Sequence, residues 1–131
     1  MARTAMEGAL VDLCFVRYNA EHDGAARDVF PFAAAGGRPL LYCFKSTGGY
    51  VPDAALDAAR LPREKWRPAV ADHYRFVLSR AAVDGVLCTL ASNAEVDALC
   101  SALDEGPMTE EEEQYVVGLA HLGAGRARLG G

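Results

Sequence analysis

The sequence PLLYCF at residues 39–44 is the segment that decides the fold, because it is short, nearly continuous in apolar residues and followed at once by Lys45. Two further segments share this pattern, LVDLCFV at 10–16 and VDGVLCTL at 83–90. Short apolar runs closed by polar residues are typical of strands in a parallel sheet that is covered on both faces. The three segments therefore predict three parallel strands with two apolar faces.

Helical segments separate and follow the predicted strands. The sequence predicts a short helix over 25–35 that Pro31 interrupts, a single turn within 54–60 and an amphipathic helix over 70–80. The glycine-containing tail 123–131 predicts a frayed end.

Two later helices carry recognisable starting signals. Ser92 or Asn93 provides an N-cap for a helix over 94–103, and Thr109 has the capping-box spacing to Glu112 at the start of the last helix. Strands that alternate with helices predict an α/β fold with a parallel sheet and right-handed crossovers. A sheet of only three strands has two unpaired edges, so we expect a partner or a larger assembly.

Composition limits the function. The 131 residues, with a mass of 14.0 kDa, fit one domain over 1–131, and the formal net charge of -5 argues against a nucleic-acid or anionic-membrane surface. No apolar run is long enough to span a membrane, and Arg3, Glu7 and Asp12 interrupt any signal-peptide core.

Cysteine and histidine spacing points to a reduced chain without a metal. The four cysteines contain no C-x-x-C pair and the three histidines share no ligand spacing; they are Cys14, Cys43, Cys88, Cys100, His22, His73 and His121. Packing roles are expected for Cys14, Cys43 and Cys88, each in a different predicted strand. A cytoplasmic location fits this pattern best.

Four segments in order resemble one family, the aldo/keto reductases. Residues 12–31 (DLCFVRYNAEHDGAARDVFP) resemble the family's sixth strand, loop and helix, and 39–47 (PLLYCFKST) resemble its seventh strand. Residues 71–99 resemble the seventh helix, eighth strand and eighth helix, and GPMTEEEEQ at 106–114 is similar to the closing segment. Their order and spacing match the family over nearly the whole chain.

This resemblance implies part of a (β/α)₈ barrel: three parallel strand–helix units and a C-terminal helix. It also implies NADP(H)-dependent carbonyl reduction by hydride transfer. The family's catalytic tetrad of Asp, Tyr, Lys and His comes from earlier strands, so no catalytic residue is assigned here. The chain alone is expected to be inactive, and an N-terminal barrel segment is its expected complementing partner.

The resemblance also assigns binding residues. Phe44 corresponds to the ring that stacks on nicotinamide, and Lys45, Ser46 and Thr47 follow it on a loop suited to pyrophosphate. The loop 89–95 would hold the phosphate and adenine side, and its assigned residues are Thr89, Ala91, Ser92 and Glu95. Tyr18 and Asn19 are the expected substrate contacts, whereas a packing role for both is the alternative.

Some positions depart from the family pattern. Glycine is replaced by Thr89, a basic residue by Ser92, glutamine by Glu95 and asparagine by Leu99. These changes predict weakened NADP(H) affinity for this chain alone. The alternative function is a noncatalytic interaction or oligomerisation module, in which the unpaired sheet edges recruit a partner, or a second copy of the chain in a homo-oligomer.

Overall fold

A parallel three-stranded sheet organises the molecule, which a computed structural model describes over residues 12–33 and 39–129. The elements in chain order are β1 (Leu13–Arg17), α1 (Ala25–Asp28), α2 (Phe30–Ala33), β2 (Leu40–Phe44), α3 (Asp53–Ala58), α4 (Val70–Leu78), β3 (Gly85–Val86), α5 (Asn93–Asp104) and α6 (Glu110–Leu129). The predicted α/β class with a parallel sheet is therefore confirmed.

The strands lie side by side in chain order, β1-β2-β3. Leu13 is opposite Leu40 at the start of the first pair, and Tyr42 is opposite Gly85 in the second. Because parallel crossovers are right-handed, a sheet that always adds its next strand on the same side places every crossover on one face. The topology therefore predicts one covered and one uncovered sheet face.

The covered face forms the core. Side chains that alternate along the strands pack there with α4, α6 and the segment before α6; the members include Cys14, Val16, Leu41, Cys43, Val86, Phe76, Val77, Met108, Val116 and Ala120. Phe76 and Val77 on α4 are completely buried. Each such side chain contributes about 1.5–3 kcal/mol by leaving water, so this layer accounts for much of the stability.

The opposite face, which we call the open face, is apolar and accessible. It consists of Leu13, Phe15, Arg17, Leu40, Tyr42, Phe44, Gly85 and Leu87. About half of the surface of Leu13, Phe15 and Leu40 is exposed, at 42%, 48% and 53%. Within the described part of the chain, the expectation of two covered faces is therefore wrong. Strands that are apolar on both faces need packing partners on both faces. The sequence pattern does not indicate whether those partners belong to this chain or to another.

Aromatic rings order the middle of the open face. The ring of Phe15 meets that of Tyr42 edge-on, with centroids 6.1 Å apart. A Cβ atom added at Gly85 would lie 2.8 Å from the Tyr42 ring, so the ring lies directly over this glycine. A larger side chain at Gly85 would displace the ring from the face.

The helices follow the sequence predictions closely, and the third strand does not. Ser92 is the N-cap of α5, and Thr109 and Glu112 exchange the two hydrogen bonds of a capping box before α6. The predicted strand 83–90 is reduced to Gly85–Val86, so Cys88 lies beyond it and is exposed. Helix α6 continues to Leu129, into the tail for which a frayed end is predicted.

Parts of other predicted elements, 10–11 and 34–35, lie outside the described residues, as do 130–131 of the tail. Among the helices that are described, none combines the length and the apolar character needed to cross a membrane.

Candidate functional site

The loops that follow β1, β2 and β3 meet at the carboxyl edge of the sheet, where parallel sheets bind ligands. Phe44 is the last residue of β2 and lies half-buried on the open face, opposite Arg17 of β1. Lys45 follows with a φ of 56° and is exposed. This left-handed backbone costs energy for a lysine, and it turns the chain sharply at the predicted cofactor loop.

Asn19 ties the first two loops together. Its Nδ2 donates to the carbonyl of Lys45 at 2.9 Å, and its Oδ1 accepts from the backbone N–H groups of Glu21 and His22 at 3.0 and 2.7 Å. The side chain is 1% exposed. Asn19 thus positions the predicted cofactor loop from within, and substrate contact by this residue stays a prediction.

The fit between Asn19 and Gly48 gives a stability prediction. A Cβ atom at Gly48 would lie 2.5 Å from Asn19 Nδ2, so we expect Gly48→Ala to lower the free energy of unfolding by about 1–3 kcal/mol through overpacking. Gly118 on α6 meets nothing within 4 Å, and Gly118→Ala should be neutral or stabilising by up to about 1 kcal/mol. Urea unfolding of both variants checks this; equal effects would contradict it.

Tyr18 is also buried, at 0% exposure. Its ring stacks on Phe76 with centroids 5.6 Å apart, and its hydroxyl accepts from Arg80 Nε at 3.0 Å. Burial raises the pKa of the Tyr18 phenol, although the hydrogen bond from Arg80 opposes that shift. The hydroxyl therefore has a partner within the fold, and substrate contact by Tyr18 stays a prediction.

Ser46 and Thr47 complete the loop after β2. Ser46 is 2% exposed, and its Oγ has no hydrogen-bond partner, whereas Thr47 is half-buried. Of the predicted pyrophosphate contacts, Lys45 is therefore accessible, Thr47 is partly accessible and Ser46 is enclosed.

The loop after β3 leads into α5. Ser92 Oγ accepts from the Glu95 N–H at 3.2 Å, and a Glu95 carboxylate oxygen accepts from the Ala91 N–H at 2.5 Å. The predicted cofactor residues Thr89, Ala91, Ser92 and Glu95 are thus brought together and exposed. The chain's own carboxylate lies where the resemblance places the adenine side of a dinucleotide.

An apolar cleft of about 270 Å³ opens between α4 and α5 beside this loop. Its lining is formed by Ala69, Val70, Ala71, Tyr74, Thr89, Leu90, Glu95, Ala98 and Leu99. The N-terminal halves of α4 and α5 contribute, and both helices begin at the carboxyl edge of the sheet, so the cleft lies on that side. Glu95 is the single charged side chain in this lining.

His73 is a buried group that histidine spacing could not identify. It is 3% exposed on α4, its Nδ1 has no partner and its ring meets Tyr50 edge-on. Burial lowers its pKa to about 4, against the smaller opposing effect of Asp72. Its position within the apolar stripe of the helix over 70–80 is the one signal in the sequence.

The cysteines differ in burial, and the described residues contain no cluster placed to hold a metal ion. Burial raises the pKa of the Cys43 thiol to about 12, and the four cysteines are free. No group of three His, Cys, Asp or Glu side chains within 12–33 and 39–129 is placed to hold a metal ion.

Comparison with known proteins assigns the chain to no group: no family model, curated protein or solved structure matches it.

Proposed function

We propose that this chain is the cofactor-side part of an aldo/keto reductase-like (β/α)₈ barrel, with the open face as a segment of the barrel interior. The observation that carries the proposal is the parallel sheet in chain order with one covered and one open apolar face. Helices outside and packed side chains inside are the arrangement of such barrels. The catalytic tetrad would come from a complementing segment, so the 131 residues alone are expected to show no turnover.

The position of Phe44 supports the cofactor assignment. It lies on the open face at the carboxyl end of β2, which in a barrel is the mouth where active sites form. β2 pairs with β3, so the loops after both strands are neighbours at this end. In the proposed complex the Phe44 ring stacks on the nicotinamide, and Lys45 and Thr47 hold the pyrophosphate.

The residues present fit a dinucleotide in part. Lys45 offers an exposed cation and Phe44 a half-buried ring, whereas Glu95 offers a carboxylate at the adenine end. A bound nicotinamide dinucleotide would supply or accept the hydride. This chain's own residues bind and orient it, and they contribute no acid to the carbonyl.

Thermal unfolding tests the proposal directly. A ligand that binds only the folded state raises its stability, by about 2.7 kcal/mol at a hundredfold excess over its Kd. We expect millimolar NADH or NADPH to raise the Tm of the full chain and Phe44→Ala to abolish the rise. Phe15→Ala removes another ring of the same face, farther from the carboxyl end, and should keep it. No rise with either nucleotide would overturn the assignment of this chain as a cofactor-binding part.

The open face also favours the second candidate, a noncatalytic module that self-associates. Contiguous exposed apolar patches of this kind usually mark interaction surfaces. If two copies cover each other, light scattering gives a mass above 14.0 kDa, and Phe15→Lys should weaken the association about tenfold or more. At a concentration where both chains are monomeric, the substitution should leave the Tm unchanged. An oligomer whose Tm does not change with NADH or NADPH would favour the self-associating module over the cofactor-binding part.

A further inference from the structure

We infer that the cleft between α4 and α5 takes a nucleoside end with free ribose hydroxyls, so that the chain selects NAD(H) over NADP(H), with Glu95 as the specificity-determining residue. This inference rests on the proposed function and adds the identity of the dinucleotide. It departs from the NADP(H) that the family resemblance implies.

The lining chemistry excludes a phosphate. Eight of the nine residues around the cleft are uncharged, and the ninth, Glu95, is acidic. A 2′-phosphate carries close to two negative charges and would need a cation or several donors to leave water. Its placement beside a carboxylate is unfavourable, because like charges at short range repel.

The same lining suits an uncharged ring and a diol. The lining is largely apolar, and a base can pack against Val70, Tyr74, Leu90 and Leu99. Ribose hydroxyls are donors, and a carboxylate accepts two of them, as acidic residues do in sites that bind a 2′-hydroxyl. One Glu95 oxygen is held by the Ala91 N–H, which fixes the carboxylate at the cleft.

The position of the cleft agrees with this occupant. Thr89 and Leu90 follow β3 by three and four residues, at the carboxyl edge that also carries Phe44. A volume of about 270 Å³ is slightly below the range of about 300–1,000 Å³ usual for ligand pockets. It therefore suits one end of a dinucleotide, and Phe44, at the same edge of the sheet, is the proposed contact of the other end.

Titration calorimetry of the full chain with NADH and with NADPH tests the inference. We expect NADH to bind about tenfold or more tightly than NADPH, and Glu95→Arg to reverse that order. Glu95→Gln keeps an acceptor for the Ala91 N–H and should remove most of the discrimination against NADPH. Asp97→Asn, an exposed carboxylate on the same helix but outside the cleft, is the matched control and should keep the wild-type ratio.

The outcomes separate the two proposals. Equal binding, or tighter binding of NADPH by the wild-type chain, would overturn the selectivity inference and leave the cofactor function intact. A ratio that Glu95→Arg does not change would also overturn the role of Glu95. Failure of both nucleotides to bind would overturn the proposed function together with the inference.

Discussion

Replacing Asn19 with alanine is expected to lower the free energy of unfolding by about 3–4 kcal/mol. The side chain makes three hydrogen bonds: two order the loop after β1, and the third, to the Lys45 carbonyl, joins that loop to the loop after β2. Truncation leaves the Glu21 and His22 N–H groups without their shared acceptor. The Lys45 carbonyl keeps a bond from the Gly48 N–H at 3.0 Å, so its loss is smaller.

Asn93 provides the matched control for this prediction. It is exposed at the first position of α5, and Asn93→Ala should change the free energy of unfolding by less than about 0.5 kcal/mol. Urea unfolding measures both variants, and the dependence of the free energy of unfolding on urea concentration should be the same as for the wild type. If Asn19→Ala costs less than about 1 kcal/mol, another contact holds the two loops together.

The hydrogen bond from Asn19 also links its removal to the predicted cofactor loop. Asn19 bonds to the backbone of Lys45, whose φ of 56° directs the predicted cofactor loop. Strained backbone conformations at functional sites persist because the surrounding hydrogen bonds and packing hold them in place. Nucleotide-dependent stabilisation should therefore weaken in Asn19→Ala even at temperatures where the variant remains folded.

Local signals explain why the helices could be predicted. Ser92 before α5 and the Thr109–Glu112 box before α6 are interactions between residues three apart, which a linear sequence displays directly. The parallel sheet could be inferred as well, because strands that alternate with helices need crossover connections, which place neighbouring strands parallel. The length of β3 could not be inferred, because a strand extends only as far as it pairs with its neighbour, and that pairing depends on tertiary structure.

The candidate site was predictable in position but not in detail. The family resemblance led to Phe44 and Glu95, and both lie at the carboxyl edge of the sheet. Nothing in the linear pattern distinguishes an exposed Asn19 from one that is 1% exposed and bonded across 26 residues. The cleft beside Glu95 depends on how α4 approaches α5, which is a tertiary property.

Acidification should destabilise the chain through His73. In the unfolded chain its pKa is near 6.5, and burial lowers the folded-state pKa to about 4. Between these values the unfolded state binds the additional proton, so the stabilisation is complete above pH 6.5 and is lost as the pH falls towards 4. The total is about 3 kcal/mol, of which about 2 kcal/mol falls between pH 6.5 and 5.

The window from pH 6.5 to 5 isolates the histidine, because ordinary carboxylates titrate below it. Glu113 is the group to account for: burial raises its pKa, so its effect on stability has the opposite sign near the acidic end. Urea unfolding at a series of pH values across this window measures the free energy of unfolding. Plotted against pH, it should rise steeply for the wild type and stay nearly flat for His73→Phe. His22→Gln, which removes an exposed imidazole, should keep the slope. A slope that survives in His73→Phe would mean that His73 accepts its proton in the folded chain.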